Sequence, residues 1–114
     1  MIKRFDTSLW EKALEEEYQR RENERAQALE RSKFSLKQYF RNQKVKKVYL
    51  VGSVVQAGKF YPFSDIDIAV EGLKEEYLKT RSSLEALLER DVDLIELEKC
   101  RFRASIEERG VRIL

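Results

Sequence analysis

Apolar residues follow two different rules along this chain. Up to about residue 43 they are sparse and helically spaced; from residue 45 onward they come in short runs of strand length, interrupted by one further helical stretch. In the first region Leu14, Tyr18, Ala28, Leu29, Leu36 and Phe40 recur at intervals compatible with 3.6 residues per turn, and no Pro or Gly falls between residues 9 and 43. Ser8-Leu9-Trp10-Glu11 has the Ser-x-x-Glu form of a capping box, which places the helix start there. Residues 15–25 are almost entirely charged, with Tyr18 the one large apolar side chain. The pattern predicts a long helical segment over 8–43, with Ser32 the point of any break and a first half that projects beyond the core.

The second region predicts a compact core over 45–114. Residues 46–51 close on the apolar run Val48-Tyr49-Leu50-Val51 and stop at Gly52, which reads as a short buried strand. Residues 65–70 form a second strand, ended by Glu71-Gly72, and residues 73–90 a helix with Leu73, Tyr77, Leu84, Leu87 and Leu88 on its apolar stripe. Residues 92–97 alternate as a third strand, with Asp91, Asp93 and Ile95 on one face and Val92, Leu94 and Glu96 on the other. A short helix over 101–109 is stopped by Gly110, and residues 111–114 are positioned to add a terminal strand. The outline αβαβαβαβ points to one α/β (α+β) domain, residues 1–114, with a small mixed sheet.

Composition narrows the chemistry. Charged residues make up 39% of the chain, but 23 Lys plus Arg against 21 Asp plus Glu leave a net charge of only +2. That balance argues against a protein held to nucleic acid by electrostatics, and no direct nucleic-acid binding is expected. The chain has no histidine and a single cysteine, Cys100, read as inert and half-buried; zinc fingers, Ser-His-Asp triads and histidine general bases are excluded. Acid–base or metal chemistry must be done with carboxylates. No apolar run approaches the roughly 18 residues that cross a membrane, and the N-terminus lacks the apolar stretch of a signal peptide, so a cytoplasmic location is expected.

Candidate chemistry gathers between Gly52 and Val70. Asp65 and Asp67 stand at i and i+2, so in an extended strand both side chains point the same way, flanked by Ile66, Ile68, Ala69 and Val70. Two carboxylates that close are kept only if one stays protonated or a cation sits between them, and a divalent metal is the economical choice. Gly52-Ser53 ends the preceding strand, and a strand that turns there into a helix offers backbone N–H groups and a hydroxyl to an anion. Phosphate cradle plus carboxylate metal site implies phosphoryl or nucleotidyl transfer.

Gly52-Ser53, Gly58 and Ser64-Asp65-Ile66-Asp67-Ile68 resemble the signature of the DNA polymerase β-like nucleotidyltransferases, and the short length resembles their minimal group, the MNT or MntA-like antitoxins. The resemblance covers residues 45–114 and leaves out the long N-terminal helix. It implies a polymerase β-like nucleotidyltransferase fold in which Gly52 and Ser53 bind the triphosphate of ATP, with Ser64 and Lys59 as further nucleotide contacts. It also implies that Asp65 and Asp67 bind Mg2+, and that Asp93, from Asp91-Val92-Asp93, is the third carboxylate, completing the metal site and helping deprotonate the attacking hydroxyl. Residues 54–64 separate Ser53 from Asp65, one more than in the common form, with the extra residue around Gln56-Ala57. In the two-gene systems of this family the partner is a HEPN-domain ribonuclease toxin. The resemblance implies an antitoxin that moves AMP from ATP onto a tyrosine of that toxin.

Plainer readings compete with each of these. Ser53 is also a favoured helix cap, Asp91 shares the face of Asp93, and Lys59 reads as a solvated lysine in preference to a phosphate contact in so charged a chain. Phe60, Tyr61 and Phe63 around Pro62 read as loop packing in preference to a lid over the nucleotide. The charges of residues 15–31 read equally as a solvated helix face and as a partner-binding arm. At the level of function, the alternatives are an antitoxin that neutralises its partner by binding alone, and a transferase acting on a small-molecule hydroxyl.

Overall fold

The computed structural model describes residues 7–114. Helix α1 spans Ser8–Phe40 without interruption, 33 residues or about 50 Å at 1.5 Å per residue. It divides as its sequence does. Residues 8–20 are exposed throughout, leaving Trp10 and Leu14 bare, whereas Leu36 and Phe40 are buried and Ala28, Leu29 and Tyr39 pack against the core. Two expectations need correcting here. No break occurs at Ser32, which is buried on the core-facing side; a mid-helix serine costs only about 0.5 kcal/mol of propensity, less than burying that face returns. The helix also starts one residue earlier than the capping box predicts: Thr7 takes the N-cap position without a side-chain cap bond, its carbonyl accepts from the Glu11 N–H at 2.9 Å, and its hydroxyl donates to the Glu11 carboxylate at 3.0 Å. Ser8 has already entered the helix.

Four strands follow: β1 Lys47–Val51, β2 Ile66–Glu71, β3 Val92–Glu96 and the two-residue β4 Val111–Arg112. Their order in the sheet is β3-β2-β1-β4. β1 pairs antiparallel with both β2 and β4, while β2 and β3 run parallel, as they must when a helix, α2 (Tyr77–Leu88), connects them. Helix α2 starts four residues later than its apolar stripe suggests. Gly72 lies at φ +80° and Glu76 is still extended, so residues 73–76 form a loop before the Thr80 N–H bonds the Glu76 carbonyl at 2.9 Å. Helix α3, Arg103–Arg109, then leads through Gly110 into β4.

The sheet has two unlike faces. On one, Val48, Leu50, Ile68, Val70, Val92 and Leu94 meet Leu36 and Phe40 of α1 and Leu84 and Leu88 of α2. On the other, a smaller cluster of Tyr49, Val51, Ala69 and Leu97 is covered in part by Ile106 of α3. Strand alternation assigns Asp67 and Asp93 to this second face, at the starts of β2 and β3, where α3 covers it incompletely.

Candidate active site

The strand register builds the site. Asp67 is paired with Val51 across the antiparallel junction and with Asp93 across the parallel one. The carboxylates that the sequence separates by 26 positions therefore stand on adjacent strands, on one face. Asp65 lies one residue ahead of β2, not within it, and is exposed. Asp91 is one rung further out; its carbonyl accepts from the Ile66 N–H at 2.9 Å. Asp67 is half-buried, and its pKa is raised from the ordinary 3.8 to about 6, chiefly by burial and then by the charges of Asp93 and Asp65.

Gly52 follows Val51 at φ +74°, and a Cβ built on it would lie 1.9 Å from Asp67 Oδ2. The glycine is thus required twice, by its left-handed backbone and by the carboxylate resting on it. The helix expected after Gly52-Ser53 does not form. Residues Gly52–Val55 make a single 3-10 turn, closed by the Gln56 N–H to the Ser53 carbonyl at 3.1 Å, and Gln56 is extended. So short a turn supplies no macrodipole; Gly52, Val55 and Gln56 line the cavity that holds Asp67, and Ser53 does not.

Other predicted contacts sit differently. The Ser64 hydroxyl accepts from the Tyr61 N–H at 2.9 Å, closing the loop ahead of Asp65. Lys59 is exposed and lies outside the cavity that holds Asp67. Phe60 is buried as loop packing, whereas Tyr61 and Phe63 stack on each other toward α1, with the Arg21 guanidinium 4.5 Å from the Tyr61 ring. Sequence reasoning missed Arg90, which donates to the carbonyls of Ser64 at 2.7 Å and Pro62 at 3.2 Å and lies 4.5 Å over the Phe60 ring. It fixes the loop that delivers Asp65, and nothing local in sequence marks it.

Between the Gly52 turn and α3 is a cavity of about 420 Å³ lined by Gly52, Asp67, Ile95, Phe102, Ser105 and Arg109, with Cys100 at its wall. Asp67 gives this lining a carboxylate, Ile95 and Phe102 apolar surface and Arg109 a cation, whereas Ser53, Asp65 and Asp93 lie outside it. A second cavity, about 260 Å³ between α1 and Arg90, contains none of the three aspartates. Among the described residues no three acidic or thiol side chains converge as a closed metal cage would require. The arrangement fits an openly held hard cation: like charges crowd Asp67, and one or two carboxylates suffice when phosphate oxygens and water complete the shell.

The family model for polymerase β nucleotidyltransferases matches residues 35–114. The chain belongs to the polymerase β nucleotidyltransferase family. Among solved structures, a toxin–antitoxin with AMP-PNP is similar to this nucleotidyltransferase at 26% identity and TM-score 0.61, over 72% of each chain. A mutant MntA toxin–antitoxin matches at 27% identity and TM-score 0.54, over 68% of this chain and 67% of that one. A complex of a tri-AMPylated Shewanella oneidensis HEPN toxin with MNT antitoxin shares the fold at 22% identity and TM-score 0.53, over 73% and 69%. No curated protein matches the chain. Most of α1 precedes the matched stretch. Among the described residues no helix is long and apolar enough to cross a membrane.

Proposed function

We propose that this nucleotidyltransferase is a magnesium-dependent protein adenylyltransferase that transfers AMP from ATP to a tyrosine hydroxyl of a HEPN-domain ribonuclease toxin, and so acts as its antitoxin. The observation that carries this reading is the opposition of Asp67 and Asp93 across β2 and β3 beside the Gly52 turn, with Asp67 and Gly52 lining the 420 Å³ cavity. The similarity to a toxin–antitoxin with AMP-PNP supports ATP as donor and a toxin as acceptor.

Asp67 and Asp93, on facing positions of β2 and β3, would hold magnesium, with the exposed Asp65 as the outlying carboxylate; when bound the ion supplies positive charge against the phosphate oxygens. The chain's own groups do the rest. The Gly52-Ser53 turn receives the triphosphate, and Arg109, which lines the same cavity as Gly52, balances its charge. Ile95 and Phe102 give the nucleoside an apolar wall. The acceptor hydroxyl attacks the α-phosphorus in line; a P–O bond to that oxygen forms, the bond to the bridging oxygen breaks, and pyrophosphate leaves. Asp93, exposed and paired with Asp67 across β2 and β3, accepts the hydroxyl proton.

The test is to incubate the purified chain with its cognate toxin, ATP and magnesium and to weigh the toxin by mass spectrometry. Mass added in steps of one AMP, lost in the Asp65→Asn/Asp67→Asn double variant, supports the proposal. Full neutralisation of the toxin by that variant without ATP would refute it in favour of masking by binding.

A further inference from the structure

Charged residues in the middle of α1 do more than solvate a helix face. Glu22 and Arg25 form an ion pair at 2.9 Å, with side chains only 17% and 20% exposed. Both reach across to the segment that leaves the Gly52-Ser53 turn. Glu22 Oε2 accepts from the Gly58 N–H at 3.2 Å, and Arg25 donates to the Val54 carbonyl at 3.3 Å. Gly58 is held at φ +76°, and the Tyr18 ring lies beside it, 3.5 Å from where a Cβ would be. The segment's own backbone bonds are few: Gln56 N–H to the Ser53 carbonyl at 3.1 Å and Lys59 N–H to the Gln56 carbonyl at 3.2 Å.

We infer that Glu22 and Arg25 are positioning residues for the nucleotide end of the site: they clamp residues 54–58 and thereby fix the direction of Ser53 and the turn N–H groups. The inference rests on the nucleotidyltransferase reading of the cavity. Ser53 lies between two anchors, Gly52 under the Asp67 carboxylate and Val54 under Arg25. Neither clamp residue lines the Asp67 cavity, and neither does Ser53; the clamp reaches the cavity through Gly52, Val55 and Gln56, which do. The clamp also accounts for how the lengthened stretch between Ser53 and Gly58 is accommodated: it ends on a glycine whose N–H is satisfied by α1, not by a following helix. Both clamp residues precede the stretch shared with the family, which begins at residue 35, so this chain draws part of its active-site rigidity from outside the common core.

The test compares wild type, Glu22→Ala and Glu22→Gln by calorimetric titration with ATP and magnesium and by amide hydrogen exchange at Gly58. Glutamine keeps an acceptor oxygen for the Gly58 N–H; alanine does not. Loss of a hydrogen bond to a charged acceptor predicts about tenfold weaker ATP binding and about tenfold faster Gly58 exchange in Glu22→Ala, with Glu22→Gln close to wild type in both. An unchanged ATP Kd in Glu22→Ala overturns the positioning role alone. An equal loss in Glu22→Gln overturns it too, since charge and not the Gly58 bond would then carry the effect. A wild type that binds no ATP overturns the proposed ATP-dependent reading of the cavity, and the positioning role with it.

Discussion

Replacing Asp67 with asparagine should stabilise the metal-free protein. Asparagine is isosteric with the carboxyl that rests on Gly52, so the substitution removes charge and leaves shape. A carboxyl whose pKa rises from 3.8 to about 6 on folding is destabilised as the anion by about 3 kcal/mol. Solvent screening at a half-buried site reduces the expected effect to roughly 1–2 kcal/mol. The folded pKa lies above the unfolded one, so between about pH 4 and pH 6 the native state binds more protons than the unfolded state. Stability from this group is therefore fully present below about pH 4, is lost as pH rises to about 6, and stays lost above. Thermal melts in EDTA from pH 4 to 8 measure this. The variant and wild type should coincide near pH 4 and diverge by roughly 5–10 °C in Tm above pH 6, and magnesium should then raise the wild type and not the variant. Equal melting temperatures at pH 7.5, or a difference already complete at pH 4, would refute the reasoning.

Further expectations follow from single contacts. Gly52→Ala places a methyl on Asp67 Oδ2 in a left-handed backbone, and should cost at least roughly 2 kcal/mol in urea denaturation; adding Asp67→Ala should recover the steric part, and no recovery would contradict the packing described. Phe40→Ala removes a side chain that is 1% exposed where α1 meets the sheet, and should cost about 3–5 kcal/mol; a loss under about 1 kcal/mol would mean that α1 is not part of the core. Arg109→Ala should weaken ATP binding about tenfold and leave the melting temperature within a few degrees, because Arg109 is exposed on the cavity wall; unchanged binding would remove it from the triphosphate site.

Wherever one face of an element is buried, the sequence was a reliable guide. Ile66, Ile68 and Val70 alternate because they share a core face, and the same alternation puts Asp67 and Asp93 on the other face. The strands β2 and β3 and the core-packed second half of α1 were legible for that reason. Helix starts were less so, since the loop at residues 73–76 carries helix-compatible residues and only Gly72 and the extended Glu76 hold it out of α2.

Local spacing, then, determined that Asp67 faces away from the core side of β2 and that glycine must end β1, because both are consequences of backbone geometry within a few residues. Tertiary structure alone decided which later carboxylate opposes Asp67, since register depends on how β2 and β3 align across α2. It also decided that the turn after Ser53 is one 3-10 turn held by Glu22 and Arg25 from 36 and 29 residues away. No periodicity encodes a hydrogen bond between a helix side chain and a distant loop amide; it exists only once α1 has packed on the sheet.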